Sequence, residues 1–222
     1  MKKLLLLLFA TGLLFTSCSV SSKIGKKKAF TGKITYAITF PGTDFSEEQL
    51  AQLPSRSTLI IGKKNTKSIL RSGIITQIEI KDIDTQNSTS LMEVLGQKFA
   101  IEKTKEMAEK ELEENSIATV SVLDDTKEIA GRLCNKAIIK INDSESTIYF
   151  SKDIGNKKYN YGSALYSNLN GIPLEYSIEN NNIKMKMTAI KIEECNINNH
   201  EFDIPEGYQK VTLNELQNMF GN

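Results

Sequence analysis

The sequence predicts a mainly β, α+β domain built on one antiparallel sheet of about ten strands. Three observations carry this. Lys33 to Phe40 (KITYAITF) alternates cleanly, with Ile34, Tyr36, Ile38 and Phe40 on one face and Lys33, Thr35, Ala37 and Thr39 on the other. That is the period of a half-buried antiparallel strand. Further β-rich runs follow one another across hairpin-length turns, "GKKN", "NDSE" and "ENNN". Only two segments carry a strong helical signal, Thr104–Asn115 and the turn opening at Thr212. A sheet of that size curls, closes or splits, and its unpaired edges need cover, for which the intervening helices are candidates.

The elements follow in order. After the first strand, Ser46 caps a short helix, Gln49 completes a capping box and Pro54 stops it. Thr58–Ile61 and Thr66–Arg71 flank "GKKN" as a hairpin. Ile74–Ile83 and Ser88–Leu95 are further strands, the latter ending at Gly96. Thr104–Asn115 (TKEMAEKELEEN) is a helix with i,i+4 charge pairs, Lys105/Glu109 and Glu106/Lys110. Its apolar stripe is thin (Met107, Ala108, Leu112), which predicts a surface helix. Ile117–Leu123, a turn at Asp124-Asp125, and a strand from Ile129 come next. Ala137–Ile141 and Thr147–Ser151 flank "NDSE"; Pro173–Ile178 and Ile183–Ile192 flank "ENNN". In the last of these Ile183, Met185 and Met187 share one face, whereas Ile190 and Ile192 take the other. That phase change predicts a bulge or strong twist near Thr188-Ala189. Phe202–Pro205 reads as a short strand, and Thr212-Leu213-Asn214-Glu215 is a capping box opening a terminal helix.

The N-terminus divides the chain before the domain begins. Lys2 and Lys3 precede an apolar run from Leu4 to Phe15. A basic start and an apolar stretch of about a dozen residues fit a secretory signal. The run falls short of the roughly 20 residues needed to span a bilayer. It ends Phe15-Thr16-Ser17-Cys18, which resembles a bacterial lipobox; plain secretion and an uncleaved anchor are the competing readings. The resemblance implies residues 1–17 as signal peptide, acylation of Cys18, and cleavage before it. Two or three acyl chains give stable anchoring where one holds only marginally. Residues 18–28 then form the lipidated cysteine and a flexible basic tether, either a solvated spacer or a contact for anionic headgroups. Residues 29–222 form a single domain. Ser19 in place of Asp, and the absence of an acidic run, imply an outer-membrane lipoprotein facing the periplasm.

Charge and cysteine count exclude several classes. The chain has 28 Lys+Arg and 27 Asp+Glu. Residues 1–28 hold six of the lysines and no acid, leaving 22 basic against 27 acidic residues in the domain. A mildly acidic domain lacks the clustered basic footprint of a nucleic-acid binder. Cys134 and Cys195 form an even pair in an oxidising compartment, so they either bridge or remain separate buried thiols. There is one histidine, His200. With it come no metal-binding His pair, no Cys-x-x-Cys, no Gly-x-Ser-x-Gly and no phosphate loop. Cys195, His200, Glu201 and Asp203 lie close in sequence but match no metal spacing; an exposed loop histidine is the default. The adjacent couplets Asp124-Asp125 and Glu193-Glu194 point to opposite faces of a strand and make no acid/base dyad. These absences predict a protein without catalytic residues, metal or cofactor.

Three segments carry a family resemblance: "TKEIAGRLCNKAIIKI" (Thr126–Ile141), "GIPLEYSIENNNIKMKMTAIKIEE" (Gly171–Glu194) and "EFDIPEGYQKVT" (Glu201–Thr212). Together they resemble an uncharacterised family of periplasmic and lipoprotein domains related to the GLPGLI proteins, within the lipoprotein-carrier (LolA/LolB-like) superfamily. The resemblance implies a curved, incompletely closed antiparallel half-barrel with about two to four helices covering its open side. Between sheet and helices such domains can hold an apolar cleft that takes acyl chains. Here the inward row Ile34, Tyr36, Ile38 and Phe40, with Met185 and Met187, is the candidate lining. Tyr159, Tyr161 and Tyr166 could rim it. The expected function is therefore a lipid-anchored, non-enzymatic envelope protein, with the membrane as partner through Cys18 and a lipid or other apolar ligand in the cleft. The alternative is an envelope interaction or structural module whose core is filled by its own side chains.

Overall fold

The structure, a computed structural model, describes residues 29–114, 118–142, 144–180 and 183–220. The expected signal peptide, Cys18 and the tether lie outside the described residues. Twelve strands form one sheet: β1 (Gly32–Thr39), β2 (Arg56–Ile61), β3 (Asn65–Ser72), β4 (Ile75–Asp82), β5 (Ser88–Val94), β6 (Gln97–Lys103), β7 (Thr119–Ile129), β8 (Arg132–Ile141), β9 (Ser144–Ser151), β10 (Ile172–Asn180), β11 (Ile183–Glu194) and β12 (Gln209–Lys210). Their order is β12-β6-β5-β4-β3-β2-β1-β11-β10-β9-β8-β7. Each neighbouring pair is antiparallel except β12 with β6. The sheet does not close: β12 and β7 are its edges. This is the curved, open antiparallel architecture expected of a half-barrel.

Two meanders, β2–β6 and β7–β11, meet at β1, which pairs with β2 on one side and β11 on the other. The predicted bulge is present. Thr35 pairs with Lys191 and Tyr36 with Ala189, leaving Ile190 as the extra residue in β11. The insertion returns Ile192 to the face of Met185 and Met187, opposite Ile34, and turns Ile190 out to solvent. The phase change read in the sequence is thus the cause of the bulge, and the bulge cancels it.

The sheet buries apolar side chains on both faces. Leu59, Ile61 and Leu70 pack with Ile34, Tyr36, Ile38, Met187 and Ala189 on the inner face. The alternate residues Ile60, Ile69, Ile78, Ile80, Leu91 and Ala100 form an outer cluster under Phe202, Ile197 and Tyr208. A third cluster, Ala137, Ile139, Ile148, Phe150 and Leu169, joins the inner face through Tyr176. The uninterrupted Thr58-Leu59-Ile60-Ile61 run of β2 is the sequence form of a strand covered on both sides.

Among the described residues three helices flank the sheet: α1 (Glu47–Gln52), α2 (Lys105–Glu114) and α3 (Leu213–Phe220). Both capping boxes form. Gln49 N–H donates to the Ser46 hydroxyl and Ser46 N–H to Gln49 Oε1. Glu215 N–H donates to Thr212 Oγ1, and Thr212 N–H to Glu215 Oε2 at 2.7 Å. The Thr212 backbone and hydroxyl donors hold the Glu215 carboxyl below its ordinary pKa. In α2 Lys105 pairs with Glu109 at 3.5 Å, while Lys110 pairs with Glu114 at 3.8 Å.

Four expectations need correction. Asp124-Asp125 is not a turn: β7 runs through it, with an irregularity between Val122 and Thr126 opposite Ala137 and Asn135. Two carboxylates facing solvent suit an edge-strand bulge as well as a turn. The turn instead lies at Ala130-Gly131, both at positive φ, between β7 and β8. Phe202 ends a 3-10 turn (Asn199–Phe202) rather than opening a strand, because its ring is drawn into the outer cluster. β6 was not legible as a strand. Finally, the helices do not plug the open side. Within α1 no residue is buried, in α2 only Ala108 is, and in α3 Leu216 is the one buried side chain among those described.

Candidate functional site

What covers the inner face is the segment from Lys152 to Gly171, between β9 and β10. It has no apolar period, only a 3-10 turn, Lys157–Asn160. Buried Asn160 holds it in shape, donating through Nδ2 to the carbonyls of Leu169 (2.9 Å) and Gly171 (2.8 Å). Leu165, Tyr166 and Leu169 pack on the Ala137–Phe150 cluster, and Tyr159 on the β1–β11 cluster. Lys81, from β4, donates to the Tyr161 carbonyl at 2.6 Å, and burial lowers its pKa. The Tyr161 hydroxyl reaches Glu109 of α2 at 2.7 Å. The segment therefore crosses from β8 and β9 to β4 and α2. The three tyrosines expected to rim a cavity instead pin this cover to its neighbours.

The six residues of the expected lining are brought together. Ile34, Tyr36, Ile38 and Met187 are buried, with Phe40 and Met185 half-buried against them. They form packed core and not a cleft wall. The Tyr36 hydroxyl is engaged, donating to the Pro173 carbonyl at 2.9 Å. Its ring meets Tyr176 edge-on at 6.1 Å, and Tyr176 meets Tyr166 at 5.4 Å. Burial pushes the Tyr176 hydroxyl up to about 12. A run of three edge-on rings fixes the cover against the sheet by aromatic contact.

Among the described residues, the surface clefts large enough for a ligand include two. One, of about 770 Å3, lies between the β8–β9 tip and β10–β11 and includes Glu145, Tyr149, Glu175, Tyr176, Lys184 and Lys186. Its carboxylate Glu175 is bonded to Lys127 at 2.9 Å and to Lys186 at 3.5 Å. The other, of about 570 Å3, lies between α2, α3 and β6, with Ile101, Met107, Val211 and Leu213 on its walls. None of the six expected lining residues borders either cleft.

The two thiols do not bridge. Both are free; Cys134 is fully buried and Cys195 exposed. Cys195 sits just past β11, where its N–H and carbonyl bond Thr31. Burial pushes the Cys134 thiol up to about 11, so it stays protonated near neutral pH. His200 is exposed in the 3-10 turn, its Nδ1 2.9 Å from Asp203 Oδ2. Among the described residues no group of three His, Cys, Asp or Glu is placed to hold a metal ion. Glu193 and Glu194 are taken by Lys191 (2.8 Å) and Arg132 (3.3 Å).

No family model and no curated protein matches the chain. Among solved structures it is similar to PNGF-II in two crystal forms, P21 and C2, each with a TM-score of 0.56 at 13% identity. The match covers 86% of this chain but only 33% and 32% of those chains, so the fold spans about a third of their length. A β-barrel-like protein from Brucella abortus matches with a TM-score of 0.34 at 10% identity, over 76% of this chain and 99% of that one. The PNGF-II likeness is one of fold alone: an open antiparallel sheet that also occurs as part of a longer protein.

Proposed function

We propose that this is a lipid-anchored envelope protein, facing the periplasm from the outer membrane, whose domain acts as a non-enzymatic interaction module. The observation that carries the reading is the covered inner face. The surface on which a carrier of the LolA type would seat an acyl chain is occupied here by residues 152–171 and by the Tyr36–Tyr176–Tyr166 run. The open curved sheet supports kinship with the LolA/LolB-like superfamily, and the cover is where this chain departs from a carrier's function. The non-enzymatic part rests on the state of the available groups. The buried thiol is held protonated, and the sole histidine is solvated and engaged by Asp203. Anchoring rests on Phe15-Thr16-Ser17-Cys18 following an apolar run.

Radiolabelled palmitate tests the anchor: label should enter the wild-type protein and not Cys18→Ser. Equal labelling of both would sink it. A second reading, binding of an apolar ligand, is favoured by one observation, the 570 Å3 cleft with Met107, Val211 and Leu213. That volume is in the range of small-molecule sites. Mass spectrometry of organic extracts from purified protein separates the two: stoichiometric lipid supports the second reading and defeats the first.

A further inference from the structure

The two edges of the sheet are treated differently. On the β6 side, β12 pairs with Phe99 and Ala100, and the Val211 N–H continues the bonding to the Ala100 carbonyl. On the β7 side protection is confined to the second half of the strand. The irregularity after Val122 breaks the ladder, Asp124, Asp125, Lys127 and Glu128 add charge, and Lys127 bonds Glu175 of β10. Bulges and charges of this kind stop strand addition.

The first half, Thr119-Val120-Ser121-Val122, has none of these devices. It is paired with β8 alone, opposite Lys140, Ile139, Ile138 and Ala137. It is uncharged and rich in β-formers. Its limits are sharp: Ala118 N–H is taken by the Ala164 carbonyl just before it, and the irregularity follows just after. Val120 and Val122 share a face. Val120 packs on the cluster of Ala137, Ile139, Ile148 and Phe150, while Val122 is left 50% exposed beside it. The apolar cluster therefore runs out to an edge whose outward backbone groups have no strand partner among the described residues.

We infer that Thr119–Val122 accepts an added β-strand, and that the strand comes from an extended peptide segment of a partner protein. The peptide has alternating apolar side chains, which land beside Val122, and a basic residue at the flank facing exposed Asp124, Asp125 beside it being paired with Lys136 at 3.3 Å. A second copy of this chain fits less well. Two four-residue edges joined antiparallel bury far less than the roughly 1,200 Å2 of a stable interface. An isolated peptide needs no such area, because main-chain bonds supply affinity and alternate side-chain contacts supply specificity. This inference rests on the interaction-module reading and names its docking edge.

The probe is a fluorescein-labelled peptide, Lys-Val-Thr-Val-Thr-Val-Lys-Lys, titrated into the full chain by anisotropy, with hydrogen exchange read on the Thr119–Val122 amides. Saturable binding that slows exchange at those amides is expected. Val122→Lys should weaken binding at least about tenfold, since a charge is placed on the edge, whereas Thr126→Lys beyond the irregularity should not. Ser121→Pro should act like Val122→Lys. Val122 is half-exposed, so its substitution leaves the fold intact even where the proline does not. A peptide with Asp in place of each Lys should bind more weakly. No saturation up to about 1 mM, equal binding by Val122→Lys, or protection in the free protein of the alternate amides that point away from β8 would overturn the inference. So would self-association that Val122→Lys abolishes, which would make a second copy the occupant. With no lipid in extracts, failure to bind peptide defeats this inference alone. Stoichiometric lipid defeats the reading beneath it.

Discussion

Replacing Asn160 with leucine tests whether the cover on the inner face is held from within. The substitution keeps the branched skeleton of the side chain and removes one amide that serves two carbonyls, those of Leu169 and Gly171, at 2.9 and 2.8 Å. Asn160 is buried, so water does not readily replace the lost donor. Each orphaned buried acceptor costs about 1–3 kcal/mol, and the added apolar surface of leucine offsets part of that. A net loss of about 2–4 kcal/mol follows, which lowers Tm by roughly 5–15 °C in a domain of this size. The damage should be local first. Residues 155–171 should exchange amide protons faster, and a dye such as ANS should find Tyr166, Leu169 and the core beneath them. A Tm within about 2 °C of wild type, with unchanged exchange over this segment, would show that the cover is held by its apolar contacts alone.

Other expectations follow from single contacts. At pH 8 a thiol reagent should modify Cys195 rapidly and leave Cys134 unmodified until the protein unfolds, which counting labelled thiols with and without urea will check. Burial alone would raise the pKa of Glu175. The hydrogen bond from Lys127 and the charges of Lys186 and Lys127 outweigh it and hold the pKa below the usual 4.5. A depressed folded pKa stabilises the protein above the unfolded value, and this contribution is lost as pH falls through the folded one. Glu175→Gln should therefore lower the urea midpoint at pH 7 and converge with wild type as pH drops below about 4; parallel curves would refute the pairing. A Cβ at Gly171 would lie 2.4 Å from the Ser151 carbonyl oxygen and 2.8 Å from the Phe150 ring. Gly171→Ala should cost about 1–3 kcal/mol in chemical denaturation, since overpacked backbone must shift.

Where local chemistry and tertiary demand agree, the sequence was readable. β1 shows its alternation, α1 and α3 show their capping boxes, and α2 shows its Lys105–Glu109 pair. β6 is not legible because Gln97–Lys103 mixes phases. Phe99 and Ala100 are both buried, on opposite faces of a strand covered on each side, so period two disappears. The turn before it was hidden as well: Leu95 adopts φ 50° ahead of Gly96, a position that usually takes Asn or Gly. The six residues of the expected lining do share one inward cluster, but what lies over them is not legible in the sequence. The row is covered by a Gly-, Asn- and Tyr-rich stretch, and such a stretch carries no periodic signal. Asn160 looks like any loop asparagine in the sequence. Only the fold shows the two carbonyls it meets.

The junction of the two meanders at β1 has a consequence for how the chain reaches this state. Within each meander, strands pair with their immediate successors, so hairpins form from nearby residues. The single seam between them joins Gly32 to Glu194, at opposite ends of the domain. Loop closure over that length is slow relative to hairpin formation. Until it happens Ile34, Tyr36 and Ile38 lack Met187 and Ala189, and the inner core stays half-built. A chain emerging N-terminus first cannot complete β1 until nearly all the rest has followed. Its assembly is gated by β11, the last large strand to arrive, so the early hairpins wait for it before the inner core can close.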